Sequence, residues 1–119
     1  MKQTKHLITA LLLTSFALYA NAQQKNNYNV AIFLWDGAEL LDFAGPGEVF
    51  AASGFNTYTV SLDGKEILSQ GFVTVKPQYS MENAPVPDIV VFPGGGTNPV
   101  SKNQKILDWV KHRSAQGTF

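Results

Sequence analysis

From Asn29 to Trp35 the chain reads Asn-Val-Ala-Ile-Phe-Leu-Trp, continuously apolar after its first residue rather than alternating. Such a run predicts a strand covered on both faces, as in parallel sheets. Asp36-Gly37 closes it with turn chemistry. Pro46 suits the first turn of a helix, which Gly47 to Ser53 continues until Gly54 stops it. Tyr58 to Leu62 alternates apolar and polar positions, as an outer strand does. After Asp63-Gly64, the segments Glu66–Leu68 and Phe72–Val75 predict a hairpin across Ser69-Gln70-Gly71. Pro77 to Pro87 is a loop by composition. Asp88 to Phe92 is a second fully apolar strand, running into Pro93-Gly94-Gly95-Gly96. A helix beginning at Ser101 puts Ile106, Leu107, Trp109 and Val110 on one side, and Gly117 is placed to end it. Thr118-Phe119 reads as the first step of a further strand.

Strand, helix, strand, hairpin, strand, helix is the order of an α/β fold with a mostly parallel central sheet. Such sheets carry their sites at the carboxyl ends of strands. Two places meet that description: the turn after Trp35 and the glycine run after Phe92.

The first 22 residues stand apart from this pattern. Lys2 and Lys5 precede a 14-residue apolar run, Leu7 to Ala20, broken only by Thr9, Thr14 and Ser15, and Ala20-Asn21-Ala22 follows. A basic start, an apolar run of this length and a small-x-small triplet predict a signal peptide cleaved after Ala22. A retained anchor is disfavoured, because spanning hydrocarbon takes about 20 apolar residues. The expected organisation is therefore a signal at 1–22, a polar leader at 23–28 and a single folded unit at 29–119. Its expected place is the periplasm or the exterior. Beyond residue 22 there are seven Lys and Arg against nine Asp and Glu, a net charge of −2. No basic patch supports nucleic-acid binding. The 119 residues contain no cysteine, hence neither a disulfide nor a thiol nucleophile.

Two constellations could carry chemistry. Asp42 lies between the end of the first strand and the expected helix, flanked by Leu41 and Phe43. A carboxyl there can share a proton with a nucleophile arriving from another strand. It can also simply cap the helix at Pro46, and on the residues alone capping is the simpler account. Gly94, Gly95 and Gly96 let the backbone turn with positive φ and expose successive N–H groups, which suit an anion or an oxyanion. The run matches neither a P-loop nor a dinucleotide fingerprint. Glu39 is a second carboxylate close by, read as an exposed loop residue. Glu48 is placed in the first turn of the first helix, Ser101 as the cap of the last, and His112 near that helix's carboxyl end. With His6 inside the signal, no His/Asp/Glu cluster is spaced for a metal, and no G-x-S-x-G elbow occurs.

Together the segments Gly37-Ala-Glu-Leu-Leu-Asp-Phe-Ala-Gly-Pro-Gly-Glu-Val-Phe50 and Pro87-Asp-Ile-Val-Val-Phe-Pro-Gly-Gly-Gly96 resemble the PfpI/ThiJ superfamily. The first is most similar to its isonitrile hydratase-like branch and to the ligand domain of amidase-like AraC-type regulators. The resemblance covers roughly Asn29 to Phe119 and implies a flavodoxin-like, class I glutamine amidotransferase-like sandwich. It implies that Asp42 faces a catalytic cysteine, with Gly94 and Gly95 beside it and a backbone N–H serving an oxyanion. In that family the cysteine follows the helix of Trp109, so the chain is expected to stop just short of it. The implied activity is a cofactor-independent, cysteine-dependent hydratase or hydrolase of a small molecule. Its rival is a noncatalytic sensing or stress-response domain. Homodimerisation is implied by the resemblance alone.

Overall fold

In the computed structural model, which describes residues 28–96 and 98–115, the first strand is the one around which the rest is built. That strand, β1 (Asn29–Leu34), is sealed from Val30 to Leu34, none of whose residues is more than 2% exposed. It pairs in parallel with β2 (Asn56–Ser61) on one side and with β6 (Ile89–Val91) on the other. A two-residue strand, β5 (Tyr79–Ser80), lies parallel to β2, giving the order β5-β2-β1-β6. The continuous apolar run of β1 thus has its predicted cause. A helix covers each face.

On one face lies α1 (Leu40–Ala52), close enough that a Cβ at Gly47 would sit 3.0 Å from Ile32 Cδ1. On the other lies α3 (Gln104–Ser114), whose Trp109 ring is 5.8 Å from that of Phe33 between centroids. Helices on both faces of a parallel sheet make this the expected α/β sandwich, with its incomplete sheet ending at β6 among the described residues. The predicted hairpin is present as β3 (Ile67–Ser69) and β4 (Val73–Val75). Gln70 and Gly71 both have positive φ, 48° and 76°, as tight hairpin turns of the right-handed twist require.

Four expectations are corrected. The first helix begins at Leu40, not at Pro46, so Pro46 lies inside it and Asp42 in its first turn. Phe43, only 7% exposed, anchors that extra turn, and its burial outweighs the i−4 bond that Pro46 cannot make. Glu48 accordingly leaves the first turn and sits exposed farther along the helix. The last helix begins after Asn103, whose side chain accepts the Lys105 N–H at 3.1 Å, so Asn103 rather than Ser101 is its cap. Ser101 instead ends a separate short helix, α2 (Asn98–Ser101). Finally, β6 is half-buried rather than covered on both faces, since it is the outermost described strand. The segments expected as a signal peptide and as a leader up to Asn27, the expected helix end at Gly117 and the expected strand start at Thr118-Phe119 lie outside the described residues.

Candidate functional site

The two chemical constellations meet at the carboxyl ends of β1 and β6. Trp35 leaves β1 and the chain turns at Asp36-Gly37, where Gly37 has φ +86°. The next residue, Ala38, forms a one-residue antiparallel bridge with Gly95. Two backbone bonds flank it: Glu39 N–H to Gly94 C=O at 3.1 Å and Gly96 N–H to Gly37 C=O at 3.3 Å. The loop entering α1 is thereby sewn to the glycine run leaving β6. This crevice lies where the crossovers diverge, one from β1 to β2 and the other out to β6. Open α/β sheets place their ligands at such a point.

Asp42 completes the junction. Its Oδ2 accepts the Gly94 N–H at 2.9 Å, across 52 positions of sequence. The carboxylate therefore does not cap α1: the capping position is Glu39, whose side chain makes no capping bond. Asp42 is nonetheless the acidic residue of the first turn, where a negative charge complements the helix dipole. Its side chain is exposed at the rim of the crevice. Among the described residues the Gly95 N–H has no hydrogen-bond partner, whereas that of Gly94 is committed to Asp42. Of the expected pair of glycine donors, one is occupied and one open.

Glu39 is exposed, as its sequence position suggests, and its Oε2 accepts from Gln70 Nε2 at 3.4 Å rather than joining Asp42. His112 lies in the last turn of α3 beside Lys111 and Arg113, remote from this junction in sequence and element. A cleft of about 440 Å³ opens beside the carboxyl ends of β1 and β2, between Trp35, Asp36, Ser61, Lys65 and Asn103. Neither Asp42 nor the glycines line it.

The sequence reading missed the partner of the loop on its other side. Strand β3 runs along residues 36–38: Leu68 N–H donates to Asp36 Oδ1 at 2.7 Å, and Gly37 N–H to Leu68 C=O at 2.9 Å. Ser69, fully buried, donates its hydroxyl to the Ala38 carbonyl at 2.7 Å. A signal for Ser69 did exist. In a strand, every second residue shares a face, so the neighbour two along from buried Ile67 must itself be inward.

Residues 28–119 match the DJ-1/PfpI family. The isonitrile hydratase of Pseudomonas putida is 27% identical over 92 residues, 76% of this chain and 40% of that protein. Among solved structures, a ThiJ/PfpI family protein from Pseudomonas syringae superposes with a TM-score of 0.74 at 20% identity, over 82% of this chain and 42% of that one. Schizosaccharomyces pombe DJ-1 gives 0.62 at 21% identity, over 71% and 51%. The chain thus spans about two fifths of the curated relative it matches.

Proposed function

The chain belongs to the DJ-1/PfpI family, and from that footing we propose that it supplies the acidic half of an active site acting on a small electrophilic molecule. The observation that carries this reading is the Asp42 carboxylate held at 2.9 Å on the Gly94 N–H, at the carboxyl ends of two parallel strands. The nucleophile this reading requires is a cysteine thiolate attacking the electrophilic carbon, and it is not among these 119 residues. Asp42 takes the thiol's proton as the sulfur adds and hands it to the adduct; it then takes a proton from the attacking water and returns it to the departing sulfur, so the thiol is regenerated. Gly94 fixes the carboxylate, and the open Gly95 N–H is the donor left for a developing oxyanion. The hydratase relative makes an isonitrile the first substrate class to try, water adding across its terminal carbon to give a formamide. Export belongs to the same reading and rests on the basic start, the apolar run and Ala20-Asn21-Ala22. The protein would then work outside the cytoplasm.

One observation favours the rival sensing role: the Gly94 N–H already has its acceptor in Asp42 and is not open to a substrate. The test is turnover of small isonitriles by the whole protein. We expect formamide production, with Asp42→Asn lowering kcat about 100-fold. Binding without turnover in the unaltered protein would establish the sensor instead. Cell fractionation with N-terminal sequencing checks export, for which a product beginning at Gln23 is expected and one retaining Met1 refutes it.

A further inference from the structure

We infer that Ser69, on the hairpin and outside the family's paired motifs, is a positioning residue that sets the geometry of the Asp42–Gly94 pair. The inference deepens the reading above in what it says about catalysis, but its structural content stands on hydrogen bonds alone.

The bonds flanking the Ala38–Gly95 bridge belong to the neighbours on each strand, so Ala38 and Gly95 are a non-hydrogen-bonded pair. The polar groups of Ala38 therefore point away from the glycines. Its N–H turns back to the Trp35 carbonyl at 3.0 Å. Its carbonyl, on a residue with no exposed surface, receives the Ser69 hydroxyl. A buried carbonyl needs such a partner.

The peptide joining Ala38 to Glu39 is where this matters. There is no cis peptide among the described residues, so its C=O and N–H point in opposite directions. The C=O end is held by Ser69, and the N–H end holds the Gly94 carbonyl at 3.1 Å. Gly94 in turn presents its own N–H to Asp42 at 2.9 Å. The result is a relay of three bonds, Ser69 to the Ala38–Glu39 peptide, that peptide to Gly94, and Gly94 to Asp42. The same peptide also opens α1 and so aims the turn that carries Asp42. Remove the hydroxyl and the peptide is held at its N–H end alone, so it can rock about its long axis. Both attachments of Gly94 then loosen together.

The remaining hairpin contacts do not replace this one. Leu68 grips Asp36 and Gly37, upstream of the pivotal peptide, and the Gln70–Glu39 contact is an exposed side-chain pair at 3.4 Å. Only Ser69 reaches the Ala38 carbonyl among the described residues.

Amide hydrogen exchange followed by NMR on the full chain tests the relay without reference to turnover. In Ser69→Ala, exchange at Glu39 and at Gly94 should accelerate about tenfold, the scale of losing one hydrogen bond, while Ile32 in β1 is unchanged. Ser69→Thr, which keeps the hydroxyl, should restore slow exchange at both. Should Ser69→Ala fail to fold, Ser69→Cys keeps the size with a weak donor and carries the same expectation. A rise at Glu39 alone, or an equal rise at Glu39, Gly94 and Ile32, overturns the inference, because the effect is then local or global. If Asp42 also handles protons, Ser69→Ala lowers kcat with KM unchanged and Ser69→Thr recovers it. Altered exchange with normal turnover would leave the relay standing and remove the catalytic reading.

Discussion

Gly95 lies against Gly37 so closely that a Cβ on Gly95 would overlap the Gly37 carbonyl oxygen. Its φ of +107° is also one that residues with side chains rarely adopt. Gly95→Ala should therefore cost about 2 kcal/mol or more, as combined backbone strain and steric overlap. Gly71→Ala has positive φ but nothing within 4 Å of its Cβ, and should cost about 1 kcal/mol. Gly45→Ala lies on the exposed side of α1 with nothing nearby, and should stabilise by about 0.5–1 kcal/mol. Thermal melting of the three variants checks the order; equal losses at Gly95 and Gly71 would mean that the close approach is not what demands glycine.

The glycine run and Asp42 were both visible in the sequence, but not their bond. Strand β1 was legible because a sealed parallel strand leaves an unbroken apolar run, and the hairpin because Gln70-Gly71 sits between two short strand patterns. The start of α1 was misread because proline ordinarily marks a first helical turn. Here the burial of Phe43 extends the helix past that rule. The bond from Asp42 to Gly94 spans 52 positions, and nothing local in either segment encodes it. For Ser69 the strand period marks the inward face but not the bond, whose acceptor lies in a loop 31 positions away.

Tyr58 carries a pH dependence. Its ring is buried, edge-on to Tyr79 with centroids 5.3 Å apart, and its hydroxyl donates to the Pro85 carbonyl at 2.8 Å. Burial pushes its pKa up to about 12, against the partial opposition of Arg113. In the unfolded chain it titrates near 10. The folded form thus keeps its full advantage below about pH 10 and loses it as pH rises through about 12. Tyr58→Phe should be less stable by about 1 kcal/mol at neutral pH, from the lost hydrogen bond, and should lack this part of the alkaline loss. Melting temperatures between pH 8 and 12 check both halves; parallel curves would contradict the second.

The cap of α3 separates two similar residues. Asn103 accepts the Lys105 N–H at the start of the helix, so Asn103→Ala should cost about 1 kcal/mol. Asn103→Ser should recover most of that loss, since a serine hydroxyl is an equally favoured acceptor there. The sequence pointed to Ser101 because serine is a common cap, and only the break between α2 and α3 transfers the role. Denaturant midpoints decide it, and no loss in Asn103→Ala would remove Asn103 as the cap.

Asp42 contributes to stability by two routes that salt can separate. Its oxygen accepts the Gly94 N–H, and its charge faces the amino end of α1. Asp42→Asn retains an acceptor of the same reach and removes only the charge, so it should lose about 0.3–1 kcal/mol, the scale of a dipole interaction at an exposed helix end. Asp42→Ala loses both and leaves the Gly94 N–H to water, a further cost of about 1 kcal/mol. For a domain of this size each 1 kcal/mol lowers the melting temperature by about 4–8 °C. Charge effects between exposed groups are largely screened at about 1 M salt, where the Debye length is about 3 Å. High salt should therefore close the gap between Asp42→Asn and the unaltered protein while the gap between Asp42→Ala and Asp42→Asn persists. If salt closed both gaps, charge alone would be at work and the Gly94 bond would contribute nothing. If Asn and Ala were equally destabilised at every salt concentration, the amide would be failing to take the carboxylate's place, and Asp42→Asn could no longer separate proton handling from geometry in an activity assay.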